Sequence, residues 1–392
     1  MSTSSAPSRW QRIAGLSFAV AAPLFIVRLI VDASIRMVFP FLPQLATAAG
    51  LTVTAFGQIV AFRAWNGIAA PWLGRAVDRF GQRAVMLAGL LCLVAGLAGL
   101  FTLSGVWVAL PMLLVGLAST AFIPAQQAFV TELAPLERRG RALAIVDAAF
   151  ATSGLVLMPL LGVVIDQFGA RASYALMGGL AVVGALIVAF LLPAPPRAHA
   201  VRGSAPPFAA VIRQTTVQAM TFVLALLFTA YAGFNAVWGV WLNQRFGVEA
   251  TRVGEIARDI AIAEVIAVIV AGLLVDRLGR RRCAIAGLVL VVVALGGWAL
   301  RQDALPTATL ALIAIGGLFE FTLVSAFTVV GDQAPDALGT MFSLASLGAS
   351  AGLALGPALA LPLFEASGLP AVLGLVAGTL LLAAGLARWK LR

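Results

Sequence analysis

The chain has 392 residues, 61% of them hydrophobic and 11% charged. Ordinary soluble domains are about 45–50% apolar and about 25% charged, so the composition excludes a soluble globular protein and leaves no room for a separate soluble domain. The net charge of +10 does not read as a nucleic-acid face, because the arginines fall in short loops between apolar runs, which is the pattern of positive-inside membrane topology.

Residues 1–15 are polar and carry Arg9 and Arg12. The apolar run that follows is too long for a signal-peptide core and lacks a convincing cleavage site, so it reads as a retained helix. Runs of roughly 20 apolar residues, enough to cross a bilayer, then recur to the end of the chain. They predict an all-α polytopic membrane protein with twelve spans, at 17–46, 54–75, 84–104, 107–132, 140–165, 172–192, 218–244, 253–275, 282–300, 306–331, 339–364 and 369–388. With the N-terminus inside, the inner segments hold Arg75, Arg79, Arg83, Arg138, Arg139, Arg141, Arg197, Arg202, Arg213, Arg277, Arg280, Arg281, Arg282, Arg388, Lys390 and Arg392. The outer loops hold only Arg171, Arg245, Arg252 and Arg301. Both termini are therefore expected on the cytoplasmic side.

The long non-apolar stretch from Pro193 to Pro207 is Pro-rich and carries Arg197 and Arg202. It predicts a cytoplasmic linker at 193–217 between six-helix bundles at 1–192 and 218–392. Cys92 and Cys283 lie in or beside apolar runs and His199 sits in a loop. No structural disulfide, metal site or cofactor is expected from them. The chain has no G-x-x-x-x-G-K-[ST] loop for ATP and no visible nucleophile–base constellation, so it is not expected to be an enzyme.

The two bundles repeat one another. Gly74-Arg-Ala-Val-Asp78-Arg79-Phe-Gly81-Gln-Arg83 returns 198 residues later as Gly272-Leu-Leu-Val-Asp276-Arg277-Leu-Gly279-Arg-Arg281. Pro159 maps to Pro357 at the same offset, and Glu132-Leu-Ala-Pro135 maps to Asp332-Gln-Ala-Pro335 at an offset of 200. Gly74 and Gly272 are expected to admit a close second helix, and Asp78 and Asp276 to face a neighbouring helix N-terminus or pair with arginines.

The twin loops resemble those between helices 2 and 3 and between helices 8 and 9 of the major facilitator superfamily of secondary transporters. Glu132 to Arg141 is similar to that family's loop after helix 4, and Pro40-Phe-Leu-Pro43 to the end of helix 1 in its bacterial drug/proton antiporters. Gly352-Leu-Ala-Leu-Gly356-Pro357 has the form those antiporters show on helix 5. Span 5 itself carries Met158 where Gly is expected. The resemblance covers essentially the whole chain. It implies two six-helix bundles related by a parallel pseudo-twofold repeat, a monomer, and a bacterial inner-membrane location. It further implies a cytoplasmic latch built from Gly74, Asp78, Arg79 and Arg83, echoed by Asp276, Arg277 and Arg281. Gly352, Gly356, Pro357 and Pro159 are either a flexing point or ordinary small-residue packing.

Charges inside the spans speak to mechanism, because a charged residue at a helix centre costs roughly 2.5–3.5 kcal/mol and should face a partner or a wet cavity. Arg28, Asp32 and Arg36 form one i, i+4, i+8 stripe of span 1. Arg63, with Asn66 one turn on, lies in span 2, Asp147 in span 5, Arg258, Asp259 and Glu264 in span 8, and Glu320 in span 10. Arg258 and Asp259 point about 100° apart and are expected to have different partners. Asp32 is either a structural ion-pair partner or a carboxylate that exchanges protons. Glu264, Glu320 and Asp147 are further proton-coupling candidates. Gln126, Asn235 and Trp238 join Arg28, Arg36, Arg63 and Asn66 as substrate-cavity candidates, with a membrane-interface belt as the alternative for Trp238.

The leading expectation is a secondary transporter working by rocker-switch alternating access, exporting small amphipathic, drug-like molecules in exchange for protons. One alternative is transport of an organic anion or anionic lipid-like molecule on Arg28, Arg36 and Arg63. Another is a non-transporting assembly or sensor protein on the same fold.

Overall fold

The structure is a computed structural model and describes residues 15–135, 138–193, 211–300, 303–334 and 337–391. Most of the expected linker, with Arg197, His199 and Arg202, lies outside the described residues, as do Arg9, Arg12 and Arg301. Among the described residues all regular structure is helical. The helices are α1 (Phe18–Arg36), α2 (Leu42–Ala49), α3 (Val53–Arg63), α4 (Ala70–Phe80), α5 (Gln82–Thr102), α6 (Ala109–Leu133), α7 (Arg139–Phe168), α8 (Ala170–Phe190), α9 (Thr215–Phe246), α10 (Ala250–Leu278), α11 (Arg280–Leu300), α12 (Leu305–Gln333) and α13 (Leu338–Lys390).

All twelve expected spans fall on helix, but four are not simple separate rods. Span 1 breaks after Arg36 and resumes as α2, with a proline in its first turn. Span 2 is divided into α3, a 3-10 turn at Ala64–Ala69, and α4, again with a proline in the first turn. Proline has no amide to donate and suits the first turn of a helix, where no intrahelical acceptor is lost, so each proline marks where the helix resumes. Spans 11 and 12 run together as α13, bent at Gly368, whose φ of 71° suits glycine. Among the described residues, nine helices are long and apolar enough to cross a membrane, or up to ten if the 102° bend between Leu42–Ala49 and Val53–Gly67 is one broken span. α10 matches them in length at 29 residues but carries Arg252, Glu255, Arg258, Asp259 and Glu264.

The chain forms two compact units. The first draws on Met1–Arg36, Ile68–Ser153 and Arg171–Ala200. Its centre is the packing of α5 on α6, where Gly89 and Gly96 face the backbone of Ala118 and Pro111, with α1 held to α6 through Gln126. The second draws on Met37–Gly67, Gly154–Ala170 and Val201–Arg392. Here α9 lies along the first part of α13. A Cβ placed on Gly352 would sit 2.4 Å from the Ala225 carbonyl, and one on Gly356 2.6 Å from the Gly233 amide. Glycine lets two helix backbones meet at this distance. In the same unit Gln58 of α3 donates to the Ala358 carbonyl at 3.1 Å, and Gly239 of α9 faces the Pro40 carbonyl.

Candidate functional site

Inside the first unit, the α1 stripe forms a buried polar centre. Arg28 and Asp32 are 7% and 3% exposed. The Arg28 Nε donates to Asp32 Oδ2 at 2.7 Å, its Nη1 donates to Gln126 Oε1 at 3.3 Å, and the same Nη1 lies 3.2 Å from Asp147 Oδ1 on α7. Gln126, fully buried, donates its own amide to the Leu24 carbonyl at 2.9 Å. One guanidinium is thus shared by two carboxylates and an amide that is itself locked from behind. This is the geometry that makes a buried cation tolerable. The third member of the stripe, Arg36, places its guanidinium 4.8 Å over the Phe150 ring, three residues along α7 from Asp147.

In the second unit, Glu264 is buried at 5% exposure. Half-buried Glu320 lines a cavity of about 480 Å³ with Phe228, Leu323, Val324, Phe327 and Thr328. The aromatic wall continues edge to face from Phe327 to Phe228 and on to Tyr231 and Phe319. Trp238 is buried at 3% exposure, so it is a core side chain and not a membrane-interface belt. Asn235 donates to the Tyr231 carbonyl one turn back, and Asn66 to the Arg63 carbonyl. Both amides are engaged with their own helices. Arg63 is buried at 7% exposure. Of the predicted residues, the structure brings together Arg28, Asp32, Gln126 and Asp147, and sets Glu320 against aromatic rings.

Two sequence expectations are corrected. Arg258 and Asp259, expected to seek different partners, pair with each other, Arg258 Nε and Nη2 both donating to Asp259 Oδ1 at 3.0 and 2.8 Å. The arginine arm is long enough to fold back along the helix surface and cancel the angular separation. Gly74 and Gly272, expected at close helix approaches, face open space, since a Cβ at either would meet nothing within 4 Å among the described residues. Gly352 and Gly356 instead lie at the tight α9–α13 contact.

The twin loops make the same contacts twice. Gly81 and Gly279 both adopt positive φ, 87° and 94°, where each loop turns into the next helix. Gln82 donates to Glu132 at 2.6 Å, and Arg280, 198 residues on, donates to Asp332 at 2.9 Å. Arg83 donates from Nε to the Val188 carbonyl at 3.1 Å and from Nη2 to that of Ala189. Arg281 does the same to Ala387 at 3.3 Å and to Arg388. Each arginine therefore clamps carbonyls in the last turn of a later helix, where intrahelical donors run out. The Asp78 side chain lies outside the described residues. Arg79 lies 5.3 Å over the Phe80 ring, and Asp276 and Arg277 are exposed.

The Major Facilitator Superfamily sequence model matches residues 24–254 and 220–392, two overlapping stretches that take in nearly the whole chain. This chain belongs to the Major Facilitator Superfamily. It is similar to Multidrug resistance protein 2 of Bacillus subtilis (strain 168), at 26% identity over 66% of this chain and 68% of that protein. It is also similar to Multidrug resistance protein 1 of the same organism, at 25% identity over 63% of each. The solved D-xylose-proton symporter covers 96% of this chain and 98% of its own at 14% identity, with a TM-score of 0.74, and shares the fold. The protein is thus a multi-pass membrane transporter of the superfamily, and its loop contacts, offset by 198 to 200 residues, are that fold's internal repeat.

One residue of this superfamily member escaped the sequence reading. Asp166, near the end of α7, accepts backbone hydrogen bonds from Ala250 and Thr251 at 3.0 and 2.6 Å, at the start of α10. The signal for it is weak, because its partners are amides and no side-chain type marks them.

Proposed function

We propose that this protein is a proton-coupled exporter of small amphipathic molecules in a bacterial inner membrane, a monomer with both termini cytoplasmic. Residues 1–192 and 218–392, joined by 193–217, act as the two rocking bundles. The observation that carries this reading is Arg28 held between Asp32 and Asp147. A proton taken up by one carboxylate releases that acid from the arginine and leaves the other paired, so the centre exchanges a proton without ever leaving Arg28 uncompensated. The twin loops with Asp78, Arg79, Arg83, Asp276, Arg277 and Arg281 act as the cytoplasmic latch. Glu320, set among Phe228 and Phe327, suits an amphipathic molecule with a cationic or neutral head. The names of the two Bacillus relatives support export of drug-like compounds. The anion-transport reading is less favoured, because Arg28 already has two carboxylates.

The test is proton flux in proteoliposomes. A pH gradient is imposed, an internal dye is followed, and cationic, neutral and anionic amphiphiles are added in turn. Cationic or neutral compounds should trigger flux in the wild type, and Asp32→Asn or Asp147→Asn should abolish it while retaining substrate binding. Flux triggered only by anions, or flux untouched by either substitution, would overturn the proposal.

A further inference from the structure

The two copies of the repeated loop carry three arginines each, but the second has two more beside it, Arg282 and Arg388. Where the first half has Gln82, Ala84 and Ala189, the second has Arg280, Arg282 and Arg388, the first two 198 residues on and the third 199. These arginines, with Arg277 and Arg281, line one open cavity of about 890 Å³ at the junction of α10 and α11, beside Asp276 and Asp332.

The placement is electrostatically unusual. Arg280, Arg281 and Arg282 occupy the first turn of α11, which holds no acidic residue. The start of a helix carries partial positive charge and favours anions, so three cations there oppose the helix dipole. Local partners offset only part of this. Arg280 is paired with Asp332, and Arg281 is held by the Ala387 and Arg388 carbonyls. Arg277, Arg282 and Arg388 are exposed and make no ion pair among the described residues. A bound anion would meet the free guanidinium groups and the α11 N-terminus together.

The surroundings specify the kind of anion. Leu278, 55% exposed, and Ile285 stand at the same cavity, and Trp389, 79% exposed with the Lys390 ammonium 4.3 Å over its ring, follows Arg388. An arginine cluster bordered by apolar side chains and an interfacial tryptophan, at the ends of membrane-spanning helices, has the two-part chemistry of a phospholipid. We propose that this cavity binds the phosphate headgroup of an anionic phospholipid, with Arg277, Arg282 and Arg388 holding the phosphate and the acyl chains running along the apolar rim. The inference does not depend on what the protein transports.

The experiment is lipid binding to the purified full-length protein by native mass spectrometry, with phosphatidylglycerol, phosphatidylcholine, or inorganic phosphate as the free anion. Phosphatidylglycerol should bind in preference to phosphatidylcholine. The double variant Arg282→Gln/Arg388→Gln, which spares every latch candidate, should weaken it by about fivefold for each arginine removed. Arg282→Lys/Arg388→Lys should retain most of the binding and shows that the protein tolerates change at these positions. Arg245→Gln/Arg252→Gln, removing equal charge from other loops, should have no effect. Equal binding of the two lipids, or unchanged binding in the Gln double variant, would overturn the proposal. So would displacement of phosphatidylglycerol by equimolar inorganic phosphate, which would make this a site for the free anion.

Discussion

Asp166 caps the α10 helix at Thr251, its carboxylate accepting the backbone amide at 2.6 Å while its other oxygen takes the Ala250 amide at 3.0 Å. The helix's own N-cap residue, Glu249, makes no side-chain cap. An acid from the end of α7 does this work instead, where the helix dipole also favours it. Beneath it the two backbones touch, with Gly162 against the Ala250 carbonyl and Gly254 against that of Met158. The cap thus fastens a seam between α7 and α10 inside the second unit.

Removing that cap should loosen the seam without unfolding the protein. Loss of a helix N-cap costs roughly 0.5–2 kcal/mol. In a background lacking Cys92 and Cys283, a cysteine at buried Met158 should therefore react with a membrane-impermeant maleimide several-fold faster in Asp166→Ala than in the parent. Asp166→Asn, which keeps an acceptor oxygen, should fall between them. Equal labelling rates in all three would show that the cap does not hold the seam.

The Arg28 centre makes a directional prediction about stability. Asp32 is 3% exposed, and stripping a buried charge of its partner costs about 3–5 kcal/mol. Arg28→Gln should lower the thermal midpoint in detergent sharply. Adding Asp32→Asn should recover much of the loss, because it removes the orphaned charge. A double variant no more stable than Arg28→Gln would mean that the stranded Asp32 charge is not the source of the loss.

Gly356 separates a hinge from a packing contact. A Cβ there would lie 2.6 Å from the Gly233 amide and 2.7 Å from the Thr229 carbonyl, whereas at Gly374, on the same helix, it would meet nothing within 4 Å. Gly356→Ala should cost roughly 1–3 kcal/mol through overpacking against backbone that cannot step aside. Gly374→Ala should be neutral or gain about 0.5–1 kcal/mol from helix propensity. If Gly356→Ala keeps its melting midpoint and changes only transport turnover, flexing is its role and tight packing is not.

These sites differ in how visible they are in the sequence. The spans and twin loops are legible because apolar length and fixed Gly, Asp and Arg spacings are local properties. The breaks after Arg36 and near Ala64 are marked by Pro43 and Pro71, but a span read from apolar length passes over them, because apolar residues continue on both sides of each break. The Arg28–Asp32 pair is legible as an i, i+4 relation. The meeting of Arg28 with Gln126 and Asp147 is not, since it depends on which faces of α1, α6 and α7 turn inward. Asp166 is invisible for a different reason, its partner being the backbone. Arg258 and Asp259 were misjudged because the angle between Cβ directions ignores the reach of an arginine.

The duplicated clamps allow the repeat to be tested as energetics. Arg83 and Arg281 use the same two donors on helix-end carbonyls at equivalent positions, Val188 and Ala189 in one half and Ala387 and Arg388 in the other. Hydrogen bonds from a charged donor contribute about 1.5–3 kcal/mol when well buried. Both arginines are only partly buried, so the expectation for each is about 1–2 kcal/mol. Arg83→Ala and Arg281→Ala should then lower stability by similar amounts, and the double variant by their sum, because the two sites share no partner. Lysine should restore less than half at either position, since it reaches as a point charge and cannot fork across two carbonyls. A strongly unequal pair of effects in thermal unfolding would show that sequence duplication has outlived the equivalence of the two clamps. A marked departure from additivity would show that the clamps are coupled through the rest of the protein.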